Sequence, residues 1–447
     1  MRITALLRRR QPRLLWLGQV ASVTGDRLYG VALIWITLRL TGSPAAVGLV
    51  ALANTLPFLA TSLVSGAVVD RRDRLRLARM VDISRVLLVG AIPFVYLTGH
   101  LNVVALVVIA AALSGLEAFF LPALQASLPR LIGPESLTSM VSLLDSTDRL
   151  GRVLGPGAIG LLVAVPEIHL FTIDAVSFVV SAVCITVLLK HAAPAAAPGR
   201  TATESRTALL TAGWREIWRR PLLRRTVALR CVCNLAWPAY SLGVPFLVAD
   251  RYHGGIGAYG LVLGAFGAGN LLGTSFTARI KESSLVRWCS IAWAFAGLGF
   301  LALALAPQYW LFVLFNIALG VCTPLANVTI DAYIAHTLAP QILARTYTAQ
   351  RFLVVGAGAA ALPAAASLIN HAGPAVTLAI AAAAITTAAI TALLLQPRPS
   401  TAHPRASPAT NEGHRPSTAR KRTNMPLIVR APADVRAHCN SRDQGNR

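Results

Sequence analysis

Gly66-Ala-Val-Val-Asp70-Arg71-Arg72-Asp73-Arg74 places five consecutive charged residues between two long apolar runs, Ala45 to Val69 and Met80 to Leu97. Each run approaches the roughly 20 residues that a helix needs to cross a bilayer, so the cluster is a short basic loop at one membrane face. Of the 447 residues, 55% are hydrophobic and only 13% charged, and mean hydropathy is +0.61, far from the composition of a soluble enzyme. Hydrocarbon offers no partner to backbone N–H and C=O groups, and runs of this length do not alternate as barrel strands do. The fold class that follows is an all-α membrane protein.

Apolar segments predict twelve spans at 14–38, 45–69, 78–97, 101–121, 139–165, 168–190, 226–249, 257–279, 287–306, 308–332, 345–369 and 373–395. Arginines set the orientation, because Lys and Arg gather in loops that stay in the cytoplasm. Arg2, Arg8, Arg9, Arg10 and Arg13 precede the first span, Arg71 to Arg79 follow the second, and Arg215 to Arg225 precede the seventh. The opposite loops hold only Arg39 and Arg251 with polar residues such as His100, Asn102 and Glu167. Both termini are therefore expected in the cytoplasm.

The chain divides into a basic N-terminus (1–13), a six-helix half (14–190), a linker (191–225), a second six-helix half (226–395) and a basic tail (396–447). Within the linker, Trp214-Arg-Glu-Ile-Trp218-Arg-Arg suits a short helix in the headgroup layer, its rings at the boundary and its cations on anionic lipid. The tail is rich in Pro, Ser, Arg and Thr without periodicity, which predicts disorder. A net charge of +23 follows from these loops and the tail, and with no binding module in view nucleic acid is not an expected partner. Six cysteines at 184, 231, 233, 289, 322 and 439 form no CxxC pair, and GxSxG and Walker-type loops are lacking, so no metal, cofactor or enzymatic activity is expected.

Two six-helix halves, a long middle loop and a G-x-x-x-D-R-x-x-R cluster resemble the major facilitator superfamily, over residues 13 to 395. That pattern usually carries Gly where this chain has Asp73. Thr24-Gly-Asp26, Thr41-Gly-Ser-Pro-Ala45 and Leu121-Pro-Ala-Leu-Gln-Ala-Ser-Leu-Pro-Arg-Leu-Ile132 are similar to its macrolide-efflux and enterobactin-exporter-like branch. Gly151-x-x-x-Gly155-Pro156-x-x-x-Gly160 is similar to the fifth-helix signature of its drug:proton antiporters, where small residues admit close helix approach. The resemblance implies a monomeric secondary exporter in a bacterial cell membrane, with a small-molecule substrate, protons and membrane lipid as partners. Alternatives are a proton-independent exporter, an importer of a natural product, and a transport-dead sensor or scaffold.

The resemblance assigns Gly66, Asp70, Arg71 and Arg74 to a cytoplasmic gate. Asp70 can bond free N–H groups at another helix's N-terminus, while Arg71 or Arg74 pairs with a neighbouring acid, for which Glu117 is the candidate. Ile330-Asp331-Ala-Tyr-Ile334 echoes Leu116-Glu117-Ala-Phe-Phe120, each followed by an arginine early in the next helix, Arg351 and Arg149. Asp145, Asp148, Arg149 and Arg152 share one face of the fifth helix, where Asp145 pairs with Arg149 and Asp148 with Arg152, or all four line a watery cavity. Asp26 beside Arg27 is the leading proton carrier: a carboxyl taken out of water prefers its neutral form and a guanidinium draws it toward the charged one, although a permanent salt bridge is the competing reading. Asp174 is a further proton candidate. Arg230 and Asn234, one turn apart, either face the substrate or serve helix packing.

Overall fold

The computed structural model describes residues 3–161, 165–191, 206–277 and 279–395, all of them in one compact unit. The tail 396–447 and linker residues 192–205 lie outside the described residues. Among the described residues there is no strand. The helices are α1 (Ile3–Arg8), α2 (Arg10–Thr41), α3 (Pro44–Ala53), α4 (Leu56–Arg71), α5 (Arg74–Leu97), α6 (Val103–Ile132), α7 (Leu137–Leu161), α8 (Glu167–His191), α9 (Arg206–Arg219), α10 (Pro221–Phe246), α11 (Ile256–Thr277), α12 (Leu285–Leu305), α13 (Tyr309–Thr337), α14 (Pro340–Ala372) and α15 (Pro374–Leu394). Ten spans among them are long and apolar enough to cross a membrane, with α3 and α4 together forming one. The two long helices short of that composition are α2 and α7, which carry Asp26 with Arg27 and Asp145 with Asp148, Arg149 and Arg152. All twelve expected spans thus coincide with helices of spanning length.

Many of the largest apolar side chains point outward, including Leu97 at 81%, Leu87 at 70% and Trp310 at 70% exposure. A soluble protein would bury them; here they form the lipid-facing surface.

Helix ends follow local chemistry. Gly42 takes φ +60° after α2 and its N–H bonds the Leu38 carbonyl at 2.7 Å, a left-handed stop that glycine adopts without steric cost. Ser43 then caps α3, accepting from Ala46 N–H ahead of Pro44 at the first helical position.

Where the hydropathy predicted one helix over 45–69, the chain breaks between Ala53 and Leu56. Ser114 of α6 enters the ladder there, its hydroxyl donating to the Asn54 carbonyl at 2.9 Å and accepting from Phe58 N–H at 3.1 Å. A side chain inserted between an N–H and the carbonyl four residues back bends a helix, and Pro57 supplies no N–H of its own.

The fourth span also differs from expectation. Rather than ending near residue 121, α6 continues through Pro122 and Pro129 to Ile132. Its helical run past Leu121 is eleven residues, about 16 Å at 1.5 Å per residue, which moves Glu117 from the expected helix end to the helix middle.

Helices α2 to α8 pack mainly among themselves, with α8 against both α2 and α5, and α10 to α15 do likewise. The two sets meet along α7 with α11 and along α3 with α14. At the first crossing, a Cβ on Gly264 would lie 2.6 Å from Gly157 Cα; at the second, a Cβ on Gly48 would lie 2.9 Å from Ala366 Cβ. Trp35 of α2 stacks on Tyr259 of α11 with ring centroids 5.7 Å apart. All three contacts lie toward the end opposite the arginine-rich loops, where α14 packs against α3 far more extensively than against α4.

Candidate functional site

At the arginine-rich end, Asp73 accounts for this chain's departure from the usual loop pattern. Its carboxylate accepts from Arg76 N–H at 3.0 Å, capping α5, and stands 3.8 Å from Arg130 near the end of α6. Arg74 lies 3.9 Å from Asp70 and donates to the Ala126 carbonyl at 2.9 Å. The loop is thereby tied to α6 through Arg74 and Arg130. Glu117 is not the partner expected for Arg71 or Arg74: its place in the middle of α6 puts it in the electrostatic surroundings of Asp26 and Tyr29. Gly66 belongs to the last turns of α4, and Arg71 ends that helix.

Deeper in the first set of helices, charge is gathered at one level. Asp174 of α8 is 1% exposed, and Ser177 donates to its carboxylate at 3.2 Å while its other oxygen is buried without a partner. Gly25 of α2 leaves room for this carboxylate: a Cβ there would collide with Asp174 Oδ1 and Ser177 Oγ. Beside it on α2, Asp26 is half-buried and within electrostatic reach of Arg85, Glu117, Arg27 and Asp82, as well as of Asp174.

Sequence reading passes over two members of this cluster. Asp82 and Arg85 of α5 lie inside what the hydropathy presents as a plain apolar span, yet they are 0% and 3% exposed. Ser181 of α8 donates to Asp82 Oδ2 at 2.6 Å, and Asp82 Oδ1 is buried without a partner. Arg85 sits between rings, 5.0 Å from the Phe120 centroid and 5.1 Å from that of Phe178. The available signal was their i,i+3 spacing, which places an acid and a base on one helix face.

The fifth-helix charges also connect to a neighbouring helix. Asp148 accepts from Arg27 of α2 at 2.7 Å, an ion pair between helices. Gly155 makes room for it, since a Cβ there would stand 2.5 Å from Arg27 Cβ, and Gly151 similarly faces Val23. This pairing follows from helix rotation: the α7 face bearing Gly151, Gly155 and Asp148 is turned toward α2. Asp145 is exposed. The side chains of Arg149, Arg152, Pro156 and Gly160 lie outside the described residues.

In the second set, Arg230 donates to Asp331 of α13 at 2.8 Å, and Asn234 donates to the Arg230 carbonyl at 3.0 Å. Tyr347 holds the Asp331 backbone carbonyl. Arg230, read as a substrate contact, and Asp331, read as the counterpart of Glu117 in the cytoplasmic gate, therefore form one pair between helices, and Arg351 lies exposed on α14. Beyond Asn234, Trp237 and Tyr240 of α10 pack with Phe266 and Phe300, the ring centroids 5.1 to 5.9 Å apart. Tyr240 donates to the fully buried Asn316 at 2.7 Å. Among the described residues no group of three His, Cys, Asp or Glu is arranged to hold a metal ion.

The sequence matches the family described as transmembrane secretion effector over residues 3–429. It is 32% identical over 379 residues to the multidrug efflux pump Tap of Mycolicibacterium fortuitum, covering 82% of this chain and 91% of that one. Identity to macrolide efflux protein A of Streptococcus pyogenes is 25% over 175 residues, covering 39% and 43%. In fold, it superimposes on the nucleoside transporter NupG with a TM-score of 0.65 at 14% identity, covering 86% and 98% of the two chains. A bacterial homologue of the iron transporter ferroportin in its inward-facing state gives 0.66 at 15% identity, with the same coverage.

Proposed function

This chain belongs to the transmembrane secretion effector family of the major facilitator superfamily, a family of multi-pass membrane transporters and not of enzymes, and from that premise we propose that it exports a small lipophilic or amphiphilic compound by alternating access in exchange for protons. The reading rests on the buried charge between α2, α5 and α8. Asp26, Asp82, Arg85 and Asp174 occupy one level of an otherwise apolar bundle, where charge is costly and is kept when it serves a pathway. A carboxyl there can take a proton from one side and release it to the other once the halves reorient.

The efflux direction and cargo class come from the relatives: Tap is a multidrug efflux pump, and the Streptococcus pyogenes protein is a macrolide efflux protein. The arginine distribution supports a cytoplasmic location for the Arg-rich end and both termini, and a bacterial cell membrane as the site. With the halves in contact at the opposite end, the structure corresponds in this reading to the inward-facing state. Closing the Arg-rich end brings Asp70 toward a helix N-terminus of the other half, where a carboxylate is favoured, and latches it. The protein works as a monomer, with α9 seated in the headgroup layer by the exposed Trp214 and Trp218.

The test is reconstitution in liposomes under an imposed pH gradient, with lipophilic dyes, macrolides and siderophores as cargo and proton flux recorded in parallel. Substrate-dependent proton flux is expected, and Asp26→Asn abolishes pH-driven movement while leaving the protein folded. Cargo movement without proton flux overturns the exchange, and no movement across the panel overturns transport of these compounds.

A further inference from the structure

Among the described residues, the buried cluster has more acids than cations. Arg27 bonds Asp148 at 2.7 Å and also acts on Asp26. Within electrostatic reach of Arg85 of α5 are Asp26 from α2, Asp174 from α8 and Asp82 from its own helix, while Glu117 from α6 acts on Asp26 and on Tyr29 of α2. Among the described residues no carboxylate lies within salt-bridge distance of Arg85; its neighbours are the faces of Phe120 on α6 and Phe178 on α8. A guanidinium does not lose its proton in proteins, so it remains a cation wherever it points. Ring faces attract it without offering a carboxylate, and that hold is weaker than a hydrogen-bonded ion pair. Among the described residues, three carboxyls thus share the reach of one guanidinium that holds none of them in an ion pair. Asp82 Oδ1 and Asp174 Oδ2, both buried without a partner, are vacant acceptors.

We propose that Arg85 is the positioning residue of the proton site: from its seat between Phe120 and Phe178 it turns to whichever of Asp26 and Asp174 is the anion, and so decides which of the two holds the proton. The step balances, because a proton leaves the O–H of one carboxyl for an oxygen of the other carboxylate while the guanidinium follows the negative charge. Net charge in the cluster is unchanged. Reorientation of one side chain then reports which carboxyl holds the proton to α2 and α8, which Asp26 and Asp174 belong to.

The proposal deepens the proton-exchange reading and rests on it, but its test needs neither substrate nor gradient. Dicyclohexylcarbodiimide modifies protonated carboxyls in apolar surroundings, and mass spectrometry after digestion assigns the modified peptide. Purified full-length protein is labelled across a pH series as wild type, Arg85→Gln, Arg85→Lys and Phe120→Leu, with folding checked by circular dichroism and gel filtration. In Arg85→Gln, labelling of the Asp26 and Asp174 peptides should persist to a pH at least one unit higher than in wild type, a tenfold change in proton retention. Arg85→Lys restores the cation and should return most of the wild-type profile. Phe120→Leu keeps the cation without one of its seats and should alter the ratio of Asp26 to Asp174 labelling. If Arg85→Gln does not fold, Phe120→Leu carries the test, and a wild-type ratio of Asp26 to Asp174 labelling in it overturns the proposal. Unchanged labelling in a folded Arg85→Gln protein that still exchanges protons overturns the role of Arg85 alone. A labelling shift in a protein without substrate-linked proton flux overturns the exchange reading and leaves the role of Arg85 standing.

Discussion

Replacing Gly264 by Val should drive the two halves apart at the end opposite the arginine loops. A Cβ at position 264 lies 2.6 Å from Gly157 Cα and 3.2 Å from Gly157 N, so the obstruction is backbone and cannot turn aside as a flexible side chain can. Carbon atoms rest about 3.5–4.0 Å apart, so even a single Cβ asks α7 and α11 to separate by about 1 Å. Overpacking of this kind costs about 1–3 kcal/mol. The smaller backbone entropy of a non-glycine residue in the unfolded chain affects both conformations alike and leaves their balance untouched. A cost borne by the closed contact alone therefore shifts the conformational ratio by about 5- to 150-fold.

The reporter is a disulfide between Gly48→Cys and Ala366→Cys, with the six native cysteines replaced. A Cβ on Gly48 would stand 2.9 Å from Ala366 Cβ, so a small relaxation brings the pair into the roughly 3.5–4.5 Å range that a disulfide requires. Under mild oxidation in membranes, the cross-linking rate should fall at least about fivefold in Gly264→Val, with Gly264→Ala intermediate. Equal rates in all three proteins would refute the inference that the Gly157–Gly264 and Gly48–Ala366 contacts belong to one closed arrangement.

Asp148→Asn removes the anion from Arg27 and should lower stability in detergent by about 1–3 kcal/mol, within the range for charged hydrogen bonds. Combining Arg27→Asp with Asp148→Arg should recover most of that loss in thermal unfolding; a double variant as unstable as the sum of the singles rules out the pair as the cause. Trp214 is 44% and Trp218 57% exposed, and the Arg224 guanidinium lies 5.5 Å from the Trp218 ring. Brominated phosphatidylglycerol in vesicles should quench their fluorescence, and the quenched component should vanish in Trp214→Phe with Trp218→Phe; identical quenching of this variant and the wild type would remove α9 from the headgroup layer.

Hydropathy located the ten apolar spans because the cost of an unpaired backbone in hydrocarbon depends only on local composition and length. The break at Asn54 was not legible in that way, since it depends on Ser114, sixty residues away, entering the α3–α4 ladder. Likewise Pro122 and Pro129 resemble stops, yet α6 runs through both to Ile132, and the position expected for Glu117 moved with it.

Charges on α2 and α7 were visible as an anomaly in apolar segments, and so, less plainly, was the Asp82 and Arg85 pair on α5. Their partners were not. Spacing along one helix could not show that the fold sets Asp148 against Arg27 or that it places Arg230 against Asp331. By itself the sequence determined that this chain is a bundle of membrane-spanning helices and which segments carry charge, because each of these properties is local. Only the tertiary structure decided which charges meet, because helix rotation and close approach at Gly25, Gly155 and Gly157 arise from packing among segments far apart in the chain.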